Sequence, residues 1–394
     1  MIVSALKLKN YRNYSELEIK PTPGLNVLFG ENGQGKTNIV EAIYMCTSAR
    51  SHRTSKDLEL IQHDKSRYQI DLNYYSSKLS EIDYSFEKSL RLQYGDFANN
   101  KNQRVLHKNE VKLDKVSEFV GNFHAVIFAP EDLQLVKDGP TVRRRFMDLL
   151  LSQIKLNYFV SLQNYSRVLN QKNKLLKSFR EANNYKLNEF DSALLDTWDE
   201  ELSKYALVII NERFRLLESL KDYAREIHMH ISDDAEHLTF KYKTNTGMKV
   251  EFSDDENFAN IMQRLKDRRI RDIAVGSTSV GTHRDDFEIF LNDEPIRNYG
   301  SQGQQRTAVL SLKMAELQII ADITKEVPVL LLDDVMSELD ANRREKLLSS
   351  LENTQIFITT TDPEQLDEDW IEKSKNSGIS YFKVDAGTVT EVSV

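Results

Sequence analysis

The sequence predicts an α/β protein in which the two ends of the chain meet in one mixed β-sheet and a helical arm is inserted between them. Three observations predict it. The apolar strand "LNVLF" runs into a glycine-rich turn and a helix-compatible stretch beginning near Lys36. Almost 300 residues later a second apolar run, Val329 to Leu332, ends on Asp333 and Asp334. Between them lie long stretches without glycine or proline, as extended helices require. A chain of 394 residues exceeds one ordinary core, so several domains are expected. Residues 1–140 are assigned to the N-terminal part of the sheet-bearing head, 141–235 to the helical arm and 236–394 to the C-terminal part of the head.

In chain order, "LKLKNY" and "ELEIK" alternate apolar and polar residues, as strands with one buried face do. "YQIDLNYY", "IDYSF" and "LRLQY" follow with the same period, and "HAVIF" reads as a short buried strand. Residues 142 to about 180 read as one long helix. After the polar turn "EANNYK", Trp198, Leu202, Tyr205, Ile209, Leu216, Leu220, Tyr223 and Ile227 form one apolar stripe, so two long helices are expected to pack together as an arm. The segment 237–300 returns to strands with "HLTFKYKT" and "FEIFLND", and the last hundred residues alternate helix and apolar strand.

Apolar residues at 40% and charged residues at 29% give the balance of a well-folded soluble protein. No apolar run approaches the length that crosses a bilayer, and the N-terminus lacks a secretory pattern, so no membrane association is expected. Cys46 is the only cysteine, which excludes an intrachain disulfide, gives a zinc site almost no support and fits a reducing cytoplasm. The net charge of −8 hides segregation: 141–180 carries nine Lys/Arg against one acid, and 181–260 carries eighteen acids against nine bases.

The chemistry sits at the two sheet-forming ends. Gly30, then Glu31, Asn32, Gly33 and Gln34, then Gly35, Lys36 and Thr37 make a phosphate-binding loop. Glycines let backbone N–H groups curl round a β-phosphate, Lys36 reaches the β/γ oxygens, and the Thr37 hydroxyl is a ligand for Mg²⁺. Asp333 and Asp334 arrive at the C-terminal edge of a buried strand, where α/β sheets bind ligands. Asp333 is expected to hold the metal, and Asp334 to orient or deprotonate an attacking water. No guanine-selecting "NKxD" occurs, so the expected nucleotide is ATP.

Lys36 and Asp333 stand too far apart for a compact kinase or GTPase. A nucleotide head split between the chain ends, with long helices between, resembles the structural-maintenance-of-chromosomes (SMC) style of ABC-type ATPase. The resemblance gives a meaning to "SQGQQR", which by itself reads as a helix cap. Ser301, Gly303 and Gln304 match the family signature that binds the γ-phosphate held by a second subunit, ahead of a helix running from Gln304 to Glu326. Ser337 to Asp340 resemble the loop that crosses the dimer interface. Thr359, Thr360 and Thr361 occupy the place of a switch histidine, and Asp334 replaces the usual glutamate, which implies slow turnover.

Together, "NYRNY", "GENGQGKTNIVEAIY", "FAPEDLQLVKDGPTVRRRFMD", "GTHRDDFEIFLND", "SQGQQR" and "LLLDDVMSELD" are similar, in order and over essentially the whole chain, to the bacterial RecF family. Thr282 departs from the proline common there. The resemblance implies an ATP-dependent homodimer that binds double-stranded DNA, favours single-strand/double-strand junctions at gaps, and acts with RecO and RecR to load RecA. It also makes Arg12 a candidate nucleotide contact, and Glu131 and Asp132 candidates for sensing Mg²⁺. Arg143, Arg144, Arg145, Lys172, Lys174 and Lys177 are candidate DNA-phosphate contacts, with "KDRRIR" (266–271) a second patch. The competing reading is an ATP-gated DNA-binding scaffold without meaningful hydrolysis.

Overall fold

The computed structural model describes the chain except residues 78–81, 98–101, 183–186, 233–235, 250, 336–343, 345, 347–350, 352, 364–376 and 393–394. The expected interface loop, Ser337 to Asp340, lies outside the described residues. The chain forms two compact units: one of 1–133, 230–233 and 306–394, the other of 134–229 and 234–305.

The first unit opens with β1 (Ile2–Tyr11), β2 (Tyr14–Ile19), β3 (Leu25–Phe29), α1 (Lys36–Ser48), β4 (Arg67–Ser77), β5 (Ile82–Asp96), β6 (Asn102–Lys108), β7 (Val111–Lys112) and β8 (Ala125–Phe128). The second unit holds α2 (Gln134–Lys137), α3 (Pro140–Ile154), α4 (Leu156–Glu181), most of α5 (Glu189–Ile231), β9 (Leu238–Lys243), α6 (Asp254–Val275), β10 (Asp286–Leu291), β11 (Glu294–Pro295) and α7 (Ile296–Tyr299). Helix α8 (Gln302–Thr324) starts in the second unit and continues in the first, which closes with β12 (Val329–Leu332), β13 (Ile356–Thr360), β14 (Ile379–Asp385) and β15 (Thr388–Val392).

Two six-stranded sheets organise the first unit. One is antiparallel, ordered β2-β1-β4-β5-β6-β7; the other is ordered β15-β14-β3-β13-β12-β8 and is parallel from β14 to β8. The two chain ends therefore do share one sheet. Helix α1 joins the two sheets in one core: Ile39, Val40, Ile43, Tyr44 and Met45 cluster with Leu6, Leu8, Ile70 and Leu72 of the antiparallel sheet and Leu28, Ile127 and Leu331 of the parallel one. A helix buried on so many sides anchors its own N-terminus, where the phosphate loop ends.

Three expectations are corrected. "IDYSF" and "LRLQY" belong to one strand, β5, whose pairing with β4 shifts register between Tyr74 and Ser76. The long helix from 142 is two helices, because Lys155 takes an extended conformation (φ −136°, ψ 94°) and caps both. No glycine or proline announces that break. Between the strands of 237–300 lies the 22-residue α6, started by a capping box of Ser253 and Glu256 and stopped by left-handed Gly276.

In the second unit α4, α5 and α6 contribute Leu176, Phe179, Leu195 and Ile273 to one apolar cluster. Further along α5, Arg213 is almost fully buried and reaches Asp148, the Tyr158 hydroxyl and the Thr282 carbonyl. The "GTHRDD" stretch is thus bonded into the helices. Tyr165 of α4 lies 2.7 Å from His283 Nδ1, and His283 Nε2 lies 3.0 Å from the Thr278 carbonyl. A carbonyl only accepts, so Nε2 carries the ring's proton and Nδ1 accepts from the tyrosine.

Burial lowers the His283 pKa from 6.5 to about 4, helped by Arg284, Arg144 and Lys172 and opposed by the Thr278 carbonyl. Between pH 6.5 and 4 the unfolded chain therefore binds more protons at this site than the folded one, and stability falls as pH falls through that window, by at most about 3 kcal/mol. We expect His283→Gln to flatten this acid-side slope in melts run from pH 7 to 4. An unchanged slope would assign the acid sensitivity to other groups. No helix among the described residues is long and apolar enough to cross a membrane.

Candidate nucleotide-binding site

The parallel sheet brings the expected residues of the first unit to one edge. Strand β3 ends at Phe29 opposite Thr360 of β13, and Leu332 of β12 pairs with both Ile358 and Phe128. Whatever follows β3, β12 and β13 therefore converges at the C-terminal edge. After β3 the loop Gly30–Gly35 turns into α1, and after β12 come Asp333 and Asp334.

Gly30 and Gly35 sit at φ 148° and 119°, where side chains are strained. A Cβ at Gly30 would strike the Val384 carbonyl, and one at Gly35 would strike Asn13 and the Tyr14 hydroxyl. Lys36 Nζ donates to the carbonyls of Gly30 (2.6 Å) and Glu31 (2.9 Å), curling the loop over its own lysine. Burial lowers the Lys36 pKa, with Asp334 and Asp333 acting against that.

Thr37 and Asp333 meet although 296 residues separate them: the Thr37 hydroxyl donates to Asp333 Oδ1 at 2.9 Å. The Thr359 hydroxyl donates to the same oxygen at 2.9 Å and accepts from the Asp334 backbone N–H at 2.8 Å. Burial pushes the Asp333 carboxyl above its usual range, with the Thr37 and Thr359 hydroxyls holding it back. Asp333 is buried, while Asp334 is exposed at a left-handed φ of 55°.

A hydroxyl and a carboxylate in contact fit a magnesium ion, which takes one or two protein oxygens and completes its shell with phosphates and water. Among the described residues no cluster of three or more metal-ligating side chains occurs. Thr359 is thus tied to both aspartates, Thr360 bonds the Asp362 carbonyl, and Thr361 is exposed.

Several supports were not legible in the sequence. The turn after β14 reaches the phosphate loop, with the Ala386 N–H donating to Gln34 Oε1 at 2.7 Å. Asn13 Nδ2 donates to the Gln34 carbonyl at 2.7 Å and Tyr14 to the Gly35 carbonyl at 3.0 Å. Glu41, one turn beyond Thr37 and fully buried, receives both Nε (3.0 Å) and Nη2 (2.8 Å) of Arg12, the Ser51 hydroxyl, and Arg53 at 3.6 Å. Arg12 is therefore committed to the helix after the loop; the two arginines against one carboxylate leave a net positive charge there.

Asp132 accepts from the Ala129 N–H at 2.9 Å, closing its own turn, while Glu131 is exposed. Burial raises the Asp132 pKa; Lys313, buried and paired with Glu316, pulls it down.

The second unit carries the remaining expected residues. Ser301 and Gln304 do form a helix cap: Ser301 Oγ accepts from the Gln304 N–H at 3.2 Å, and Gln304 Oε1 from the Ser301 N–H at 2.8 Å. Gly303 lies within the first turn of α8. Two of the six basic residues expected to meet DNA are instead buried. Arg143 makes a two-pronged pair with Asp286 (2.7 and 2.9 Å), and Lys172 pairs with fully buried Asp199 (2.5 Å), so a phosphate would have to displace a carboxylate at either residue. Arg144 donates to the Asp285 carbonyl at 2.7 Å, whereas Arg145, Lys174 and Lys177 are exposed.

A parallel sheet with a phosphate loop and an aspartate pair on one edge, built from both ends of the chain and joined to an antiparallel sheet, defines an ABC-type ATPase head of the SMC kind. Heads of that kind match it in fold: the Smc head domain of Pyrococcus furiosus superposes with a TM-score of 0.52 at 15% identity over all of this chain and 96% of that one.

The family model described as RecF/RecN/SMC N terminal domain matches residues 2–383. The DNA replication and repair protein RecF of Clostridium perfringens is 42% identical over 95% of this chain and 97% of its own length. That of Acetivibrio thermocellus is 40% identical over 98% and 99%. A solved structure of the recombination mediator protein RecF with ATP, of the RecFOR pathway, has a TM-score of 0.87 at 35% identity, covering 100% of this chain and 98% of that one. The chain belongs to the RecF/RecN/SMC family and, within it, to the RecF proteins.

Proposed function

We propose that the protein is an ATP-dependent, DNA-binding recombination mediator that dimerises on ATP, binds duplex DNA at single-stranded gaps and acts with RecO and RecR to load RecA. The first unit with α8 is its ATPase head, and the long helices of the second unit its arm. The observation that supports this reading is the contact of Thr37 with Asp333, which brings two candidate magnesium ligands together from the two chain ends. When bound, ATP with Mg²⁺ supplies a charged triphosphate that Lys36 and the loop N–H groups neutralise. Asp333 and Thr37 would hold the metal, and Asp334, exposed beside them, would take the proton of an attacking water. Arg12 and Arg53 add positive charge from behind Glu41. Turnover is slow, since an aspartate and threonines stand where cassette ATPases carry glutamate and histidine; its stimulation by DNA belongs to the same proposal.

In this reading Ser301, Gly303 and Gln304 meet the triphosphate held by a second copy. Light scattering without nucleotide, with ADP and with ATP–Mg²⁺ tests it: wild type is expected to form dimers only with ATP, and Ser301→Arg to stay monomeric. A wild-type mass that ignores ATP would sink the clamp.

For DNA, the exposed Arg145, Lys174 and Lys177 remain candidates. A cleft beside the second patch supports it: Arg268 and Arg271 of the patch, with Arg264 one turn earlier on α6, line about 660 Å³ with Asn245, Ser279 and Val280, and Asp267 is the acid among them. Arg264 is held by the Asn245 carbonyl at 2.8 Å. Each phosphate contact contributes about 0.9 to the log–log salt slope of duplex binding. Arg268→Ala with Arg271→Ala is therefore expected to lower the slope by about 2, equally for unrelated sequences. A slope unchanged from wild type would remove the cleft from the DNA surface.

A further inference from the structure

The capping box ties the first turn of α8 to itself but leaves open what orients that turn. The Gln304 amide has two ends. Its Oε1 is taken by the Ser301 N–H, and its Nε2 donates to Glu236 Oε1 at 2.8 Å. The other oxygen of Glu236 lies 3.1 Å from Nε2 of His228, a fully buried ring near the end of α5. A carboxylate only accepts, so Nε2 is the donor. Just beyond, Gln305 Nε2 donates to the Gly300 carbonyl at 3.1 Å, closing the turn that follows α7. A continuous chain of hydrogen bonds thus runs from exposed Ser301 through Gln304 and Glu236 to a buried histidine.

A glutamine on the first turn of an exposed helix end ordinarily samples several rotamers, and fixing one costs on the order of 1–2 kcal/mol of side-chain entropy. Here both ends of the amide are bonded, so the rotamer is set before any ligand arrives. Glu236 is about one-fifth exposed and is itself held from behind by His228. Charge-assisted bonds of this kind are the stronger class.

We propose that Glu236, backed by His228, is a positioning residue for the signature turn. It sets Gln304, and with it the Ser301 hydroxyl, in the orientation that receives the triphosphate of a second copy. The proposal rests on the reading of Ser301 as the half-site contributed in trans.

The test uses the full-length protein, ATP–Mg²⁺ titrations followed by light scattering, and the variants Glu236→Ala, Glu236→Gln, His228→Gln and Ser301→Arg. ATP binding at low protein concentration and the melting temperature are read alongside. Glu236→Ala is expected to weaken ATP-driven dimerisation about ten-fold, the effect of one charge-assisted bond, with monomer ATP affinity and melting temperature at wild-type values. Glu236→Gln, which keeps an acceptor for Gln304, restores most of it, and His228→Gln falls between. Wild-type dimerisation by Glu236→Ala, while Ser301→Arg stays monomeric, overturns the positioning role. So does a loss in every variant that follows a fall in melting temperature, because Glu236 then only maintains the fold. Normal dimerisation by Ser301→Arg rejects the trans reading itself, whatever Glu236 does.

Discussion

Asp333→Asn is expected to reduce Mg²⁺-dependent ATP turnover by about 100-fold or more while leaving the protein at least as stable as wild type. The two halves of this expectation share one cause. Asp333 Oδ1 accepts from the hydroxyls of both Thr37 and Thr359, and an asparagine carbonyl accepts the same bonds in the same space. The charge that would hold a divalent cation is lost. Burial also raises the Asp333 pKa above that of an unfolded aspartate, so at neutral pH its ionised carboxylate works against folding. Removing the charge relieves that cost. Turnover assays beside thermal melts check both halves. Wild-type turnover would show that the metal is held elsewhere, and a fall in melting temperature would show that the carboxylate stabilises the strand end.

Arg213→Met is expected to destabilise the second unit by about 3–5 kcal/mol, the range for breaking a buried pair from one side. The guanidinium donates to Asp148 Oδ1 at 2.7 Å, to the Thr282 carbonyl at 2.9 Å and to Tyr158 at 3.1 Å, and lies 3.6 Å from Asp285. Burial opposes its charge, but Asp148 and its other partners outweigh burial and hold its pKa above the ordinary value. Asp285 is fully buried and, once the arginine is gone, keeps neutral donors such as Tyr242 and the Asn245 N–H but loses its nearby positive charge. Chemical denaturation measures the loss. The triple variant with Asp148→Asn and Asp285→Asn is expected to recover a large part of it, since no unpaired charge remains. Failure to recover would assign the loss to the arginine's shape and its bonds to Tyr158 and Thr282.

The charge segregation of the sequence resolves along the same lines. The basic run from 141 to 180 reads as one solvated face, yet Arg143 and Lys172 neutralise acids of the same unit, Asp286 and Asp199. Arg269 of the second patch likewise bonds Asp196 and Asp199, both at 2.7 Å. A linear count cannot separate a lysine paired in the interior from one in water, because pairing depends on which helices become neighbours.

The sequence by itself determined the class of fold and the candidate residues of a nucleotide site. A phosphate loop needs glycine, lysine and threonine at fixed spacing, because the loop wraps one small ligand with its own backbone. A buried parallel strand needs an unbroken apolar run, so β3 and β12 announced both themselves and the edge where Asp333 stands. Only the tertiary structure decided what crosses between distant segments: Glu41 under Arg12 and Arg53, the turn at Ala386 that grips Gln34, the break at Lys155, and Glu236 between Gln304 and His228. Apart from the break at Lys155, those features are hydrogen bonds and ion pairs between groups that folding brings together. Local spacing carries no signal of them, since either partner alone looks like any other polar residue on a helix or turn.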